Sequence, residues 1–169
     1  MFREMRRCNQ QLSMEECIEI LQKGTSGVLA VSGDDGYPYA VPLSYAYQNG
    51  ALWFHGATSG HKLDAIARSS KVSFCVIDAD EVWPEKLTTV YRSVIVFGRA
   101  EILDDERKIA QGARILGEKY LPGDRSRVES EIAQSMPRLT VIRLDIEHMT
   151  GKEGVELTAK KKPDLFDSE

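Results

Sequence analysis

Histidine and cysteine are scarce, with three of each in 169 residues. Cys8, Cys17 and Cys75 fall in no paired spacing such as C-x-x-C, and an odd number excludes a complete disulfide framework. Structural thiols in a reducing, cytoplasmic compartment are therefore expected. The histidines, His55, His61 and His148, join no H-E-x-x-H motif, facial triad or Cys/His cluster, so no metal site is expected. No serine sits in G-x-S-x-G, and Cys75 stands among apolar strand residues, which argues against a nucleophilic hydrolase. A G-x-G-x-x-G turn, a Walker loop and βαβ alternation are all missing, which excludes Rossmann and nucleotide-hydrolase architectures. Positive charge is not in excess: 22 Lys+Arg stand against 26 Asp+Glu, a net charge of −4. That balance lacks the basic footprint of a nucleic-acid partner. No apolar run approaches the ~18 residues a membrane helix needs. The charged stretch from Met1 to Arg7 leads into no apolar leader, so neither a membrane span nor a secretory signal is expected.

What is present describes one globular domain, with 42% hydrophobic and 28% charged residues. A chain of this size hides roughly 68–70% of its unfolded surface, enough to fold without a disulfide or a structural metal. Ser13-Met14-Glu15-Glu16 is a capping box that predicts a short helix carrying Cys17, Ile18 and Leu21 and stopping at Gly24. From Val28 to Ile77 short apolar runs alternate with the turn signals Gly33-Asp34-Asp35-Gly36 and Asn49-Gly50, which predicts an antiparallel meander. Strands are expected at Val28 to Val31, Tyr39 to Tyr47, Ala51 to His55 and Lys71 to Ala79. A short helix over Gly60 to Arg68 separates the last two.

A long fifth strand, about Tyr91 to Leu103, reads as central. Ile109, Ala113, Leu116 and Tyr120 follow at helical spacing, and Ser126-Arg127-Val128-Glu129 reads as a second capping box whose helix ends at Pro137. The last strand alternates Thr140, Ile142, Leu144, Ile146 and His148 with Val141, Arg143, Asp145 and Glu147, giving one mostly charged face. Six antiparallel strands with short helices fit a mainly β, α+β architecture, and closure into a small barrel removes exposed edges. Pro42 marks a bulge or an edge. The domain is expected to span residues 1–152, with a polar, poorly ordered tail over 153–169.

Thr58-Ser59-Gly60-His61-Lys62 leads from a strand into a helix and gathers hydroxyls, free N–H groups and a lysine. Two readings remain open there: a solvated helix N-terminus with ordinary capping, or a place suited to a phosphate.

Several segments occur together in the order found in a known family. They are Gly27-Val28-Leu29-Ala30-Val31, Gly36-Tyr37-Pro38-Tyr39-Ala40-Val41-Pro42-Leu43-Ser44-Tyr45, Leu52-Trp53-Phe54-His55-Gly56-Ala57 and Gly60-His61-Lys62-Leu63, followed by Tyr91-Arg92-Ser93 through Ala100 and Arg143 through Lys152. In this the chain resembles the pyridoxamine 5′-phosphate oxidase-like FMN-binding split-barrel flavoproteins, in particular their nitroimidazole-resistance branch, over about residues 5–152. The resemblance implies a homodimer of six-stranded antiparallel split β-barrels with FMN in clefts between the subunits. Pro42, Leu43, Ser44 and Tyr45 would then line the isoalloxazine and ribityl chain, followed by His55, Gly56 and Ala57. Lys62 would hold the phosphate, beside His61 where the oxidases carry an arginine. Arg92, Ser93, His148, Thr150 and Lys152 would form the partner-side wall. The implied activity is electron transfer from NADH or NADPH, through FMN, to a small organic acceptor such as a nitroimidazole or another nitroaromatic, with no catalytic side chain. Its rivals are a non-catalytic flavin- or haem-binding module, with His55 or His148 serving an iron, and a deazaflavin-dependent reductase on the same fold. The absence of the oxidases' C-terminal phosphate clamp argues against vitamin B6 oxidation.

Overall fold

The Ser13 capping box forms as its spacing predicts. Glu16 N–H donates to Ser13 Oγ at 3.2 Å, and Ser13 N–H donates to Glu16 Oε2 at 2.8 Å. In the computed structural model, which describes residues 2–165, this starts α1 (Met14–Lys23), whose buried face carries Cys17, Ile20 and Leu21. The strands that follow are β1 (Ser26–Ser32), β2 (Pro38–Ser44), β3 (Ala46–Gln48) and β4 (Ala51–Gly56), then β5 (Lys71–Trp83), β6 (Thr88–Ile102) and β7 (Thr140–Glu153). Helix α2 (His61–Arg68) lies between β4 and β5, α3 (Glu106–Tyr120) and α4 (Arg125–Ser135) between β6 and β7, and α5 (Val155–Lys161) after β7. The two turn signals hold: Asp35, Gly36, Asn49 and Gly50 all have positive φ, as tight hairpin connections demand.

The strands form one antiparallel sheet in the order β2-β1-β5-β6-β7-β4-β3. There are seven rather than six because the stretch expected as one strand, Tyr39 to Tyr47, breaks at Tyr45. Tyr45 N–H still follows the β1–β2 register by donating to the Thr25 carbonyl, but its ring is fully buried, edge-on to Phe74, and from Ala46 the chain pairs with β4 instead. Since β2 and β3 are opposite edges of the sheet yet adjoin in sequence through Tyr45, the chain itself draws the edges together into a split β-barrel. Pro42 sits on edge strand β2, where one side of the backbone needs no ladder partner.

The barrel interior holds Leu29, Tyr45, Phe54, Phe74, Val94 and Leu144. A second cluster packs α3 against β4 and β7 through Trp53, Val141, Ile115 and Leu116, so Trp53 is a core residue. Gly112 permits the approach, since a Cβ there would meet Val141 at 2.6 Å and the Trp53 ring at 2.8 Å. Val141 is buried by this contact, so the charged face of β7 begins only at Arg143.

Three further expectations are corrected. Helix α4 is capped by Asp124, whose carboxylate accepts from Arg127 N–H at 3.0 Å. The Ser126 capping box does not form because the helix already begins at Arg125, which puts Ser126 inside it, and Glu129 is held instead by the Arg114 guanidinium at 2.5 and 3.0 Å. The segment after Glu153 is not an unstructured tail. Residues 155–161 form α5, anchored by a buried Thr158 whose hydroxyl donates to the Gly154 carbonyl and by Lys161, which bridges Glu16 at 2.6 Å and Glu153 at 2.8 Å. The Lys161–Glu16 contact spans 145 positions and has no local signature. Residues 166–169 of the expected tail lie outside the described residues. Of the three thiols, Cys17 is buried and pushed up to about 11 by that burial, Cys75 is half-buried, and Cys8 is exposed rather than structural.

Candidate functional site

Two β-bulges decide which side chains meet on the outer face of the barrel. In β7 the ladder pairs Gly98 with Ile146 but Phe97 with His148, leaving Glu147 as the extra residue. Simple alternation puts His148 in line with the core residues Ile142 and Leu144. The bulge turns it outward instead, together with Thr150 and Lys152, while Met149 and Gly151 face the core. In β5 the register shifts between Ile77 and Ala79, and the intervening Asp78 accepts from Arg92 Nε at 2.6 Å.

Cross-strand pairing then links Pro42 to Val28, Val28 to Cys75, Cys75 to Ile95 and Ile95 to Thr150, one row across five strands. Phe97 and His148 stand opposite each other beside it, and Ser93 opposite Lys152. The structure therefore brings Pro42, Ser93, His148, Thr150 and Lys152 onto one outer face. Ser44 shares the outward side of β2 with Pro42. Arg92 is engaged by Asp78, and Lys152 Nζ lies 5.3 Å from the centre of the Tyr91 ring. Much of this face is apolar and uncovered, with Ile77 64% and Ile95 40% exposed. Phe2, which no sequence signal marks, stacks on His148 with ring centres 4.5 Å apart.

Other candidates lie elsewhere. Leu43 faces inward and packs on the barrel core, and the Tyr45 ring is inside that core, where burial pushes its hydroxyl's pKa up. At the end of β4, Gly56 and Lys62 meet: a Cβ on Gly56 would lie 3.4 Å from Lys62 Nζ. Ala57, Thr58, Ser59 and Gly60 are exposed. Helix α2 begins at His61 after Gly60, whose φ is 135°; neither Thr58 nor Ser59 caps it, while the exposure of this loop agrees with a solvated helix N-terminus. Lys62 makes no ion pair among the described residues. His61 is drawn away from this loop. Its ring stacks on Tyr39 at 4.1 Å, and its Nε2 lies 3.5 Å from Asp34, which also binds Arg68 at 2.6 Å. Tyr39 and Asp34 were not legible as its partners, because they come from a different hairpin.

His55 points to a third place. It lies on the same side of β4 as Trp53 and lines a cavity of about 390 Å³ between β4, α3 and α4. Among the described residues no group of three or more His, Cys, Asp or Glu side chains is placed to hold a metal ion. No described helix is long and apolar enough to cross a membrane.

A family model described as pyridoxamine 5′-phosphate oxidase matches residues 13–153. Among solved structures, the chain is similar to a FAD-binding protein from Mesorhizobium loti, with 28% identity and a TM-score of 0.58, over 85% of this chain and 96% of that one. It is also similar to a candidate 5-nitroimidazole antibiotic resistance protein from Bacteroides thetaiotaomicron, with 18% identity, a TM-score of 0.69 and coverage of 85% and 86%. A flavocytochrome from Azotobacter vinelandii matches with 20% identity and a TM-score of 0.77, over 90% of this chain and 72% of that one. Among curated proteins none matches.

Proposed function

From the premise that the chain belongs to the pyridoxamine 5′-phosphate oxidase family, we propose that it binds a flavin, FMN, and passes electrons from NADH or NADPH to a small organic acceptor, nitroaromatic compounds included. The observation that carries this reading is the uncapped start of α2 with Lys62 against Gly56. The backbone N–H groups of His61 and Lys62 at the helix start, an adjacent cation and a glycine that admits close approach form the donor set a phosphate monoester needs. The outer edge of β2 around Pro42 and Ser44, with the backbone of His55, Gly56 and Ala57, continues from that loop and would position the ring system. A bound flavin supplies the two-electron chemistry; the residues of this chain bind, orient and exclude water from it. FAD-binding and flavocytochrome relatives of the same fold support a flavin over a phosphorylated vitamer as the occupant.

The reading includes a homodimer. Val28, Ile77, Ile95 and Phe97 form an apolar outer face on the sheet. A second copy would cover it and bring its own Arg92, Ser93, His148, Thr150 and Lys152 to the cleft. Ile95→Glu is expected to convert a dimer into a monomer that no longer retains FMN, measured by light scattering with parallel absorbance. A flavin-loaded wild-type monomer overturns this arrangement.

The activity is tested by anaerobic stopped-flow of the FMN-loaded protein. NADPH or NADH is expected to bleach the flavin absorbance, and a nitroaromatic compound to restore it. Absence of bleaching with both donors leaves a non-catalytic binding module, and a Soret band in place of flavin bands replaces the cofactor assignment.

A further inference from the structure

The cavity of about 390 Å³ between β4, α3 and α4 lies within the ~300–1,000 Å³ typical of small-molecule sites. Its wall is apolar, built from Ala113, Leu116, Val128, Ile132 and Leu139. The Tyr120 ring joins this wall with its hydroxyl already committed, donating to the Thr25 and Tyr45 carbonyls at 2.8 and 3.1 Å.

Four polar side chains, His55, Arg127, Glu131 and Ser135, also line the space, and none makes a side-chain hydrogen bond or ion pair among the described residues. Some of their neighbours on the same two helices are paired. Arg114 grips Glu129 with two bonds, and the Gln134 amide donates to Ser130 at 3.2 Å. His55, Arg127 and Glu131 are exposed, so solvent serves them, and a ligand entering the cavity would exchange that water for its own polar groups.

The space is not a consequence of loose helix packing. Val128 seats against Gly117 so closely that a Cβ there would fall 2.4 Å from it, and the Arg114–Glu129 clamp holds the same two helices together. Strand alternation separates this place from the flavin loop: His55 faces α3, whereas its neighbour Gly56 faces Lys62.

We infer that this cavity binds a small aromatic carboxylic acid, at a site distinct from the Lys62 loop. The Arg127 guanidinium offers the planar fork that matches a carboxylate, with a His55 N–H as a further donor. The apolar wall and the Tyr120 ring accept an aromatic body. Glu131 can only accept hydrogen bonds, so it disfavours a second anionic group and fits a ring hydroxyl. This goes beyond the flavin reading and does not require it.

The probe is 2-naphthoate, titrated calorimetrically into the full-length protein with and without saturating FMN. Expected are one site per chain, affinity independent of FMN, and binding about tenfold or more weaker for uncharged 2-naphthamide and for Arg127→Ala. Ser135→Trp, which fills the mouth, is expected to abolish binding while FMN affinity and the melting curve stay at wild-type values. No binding of 2-naphthoate, an unchanged dissociation constant in Arg127→Ala, or displacement of 2-naphthoate by FMN each overturns the inference. Loss of FMN but not of 2-naphthoate in Lys62→Ala supports two sites. Naphthoate binding of the expected kind in a protein that takes no FMN supports this inference while refuting the flavin reading.

Discussion

Lys62→Ala is expected to weaken FMN binding about ten- to a hundredfold, because a hydrogen bond to a charged group contributes roughly 1.5–3 kcal/mol and about 1.4 kcal/mol is one factor of ten. The lysine stands in the first turn of α2, where Gly60 supplies no side-chain cap, and its Nζ approaches Gly56 at the end of β4. It forms no ion pair among the described residues, so its removal leaves no buried partner stranded. Stability is therefore expected to change by no more than about 0.5 kcal/mol, as for other surface substitutions. His61→Ala behaves differently. Its ring is stacked on Tyr39 and turned toward Asp34, so the loss falls on the hairpin it braces, by about 0.5–1.5 kcal/mol, and less on FMN. Fluorescence titration of apoprotein with FMN, with a melting curve for each variant, separates the two roles. A wild-type dissociation constant for Lys62→Ala removes the phosphate assignment.

Local signals carried far in this chain. The Ser13 capping box, the Asn49-Gly50 turn and the apolar alternation of β6 each specify their structure within a few residues, and each is found where its pattern places it. What was illegible depends on partners distant in sequence. Glu129 of the expected Ser126 box is held by Arg114, fifteen positions before it, and α5 is held by a lysine reaching back 145 positions to Glu16. The candidate site shows the same division. The motif around Lys62 is contiguous and readable, whereas the outward turn of His148 depends on a bulge that no period-2 count contains. The α3–α4 cavity had no signature at all, since Arg127 and Glu131 read as any solvated helix pair and the apolar wall beside them is assembled from separate elements.

The bulge makes Gly98 the position where a single methyl group should do the most damage. A Cβ on Gly98 would lie 2.0 Å from the Asp145 carbonyl oxygen and 3.0 Å from its carbon, so β7 must move, since no side chain there can turn aside. Overpacking a core typically costs about 1–3 kcal/mol, and a clash with backbone belongs at the upper end, so Gly98→Ala is expected to lose about 3 kcal/mol. For a chain of this length that is roughly a 6–12 °C fall in melting temperature, measured at fixed protein concentration because an associating protein melts in a concentration-dependent way. Gly154→Ala is the control. Its φ is −65°, and the nearest atom to a new Cβ is the mobile carboxylate end of Glu156 at 3.0 Å, so the change stays within about 1 kcal/mol. The two glycines therefore separate a steric requirement of the sheet from a general effect of adding a methyl group. A Gly98→Ala protein that melts with the wild type means that β7 shifts freely at this point. The outward placement of His148, Thr150 and Lys152 would then not be fixed by the fold, and their proposed place in the cleft would lose its structural basis.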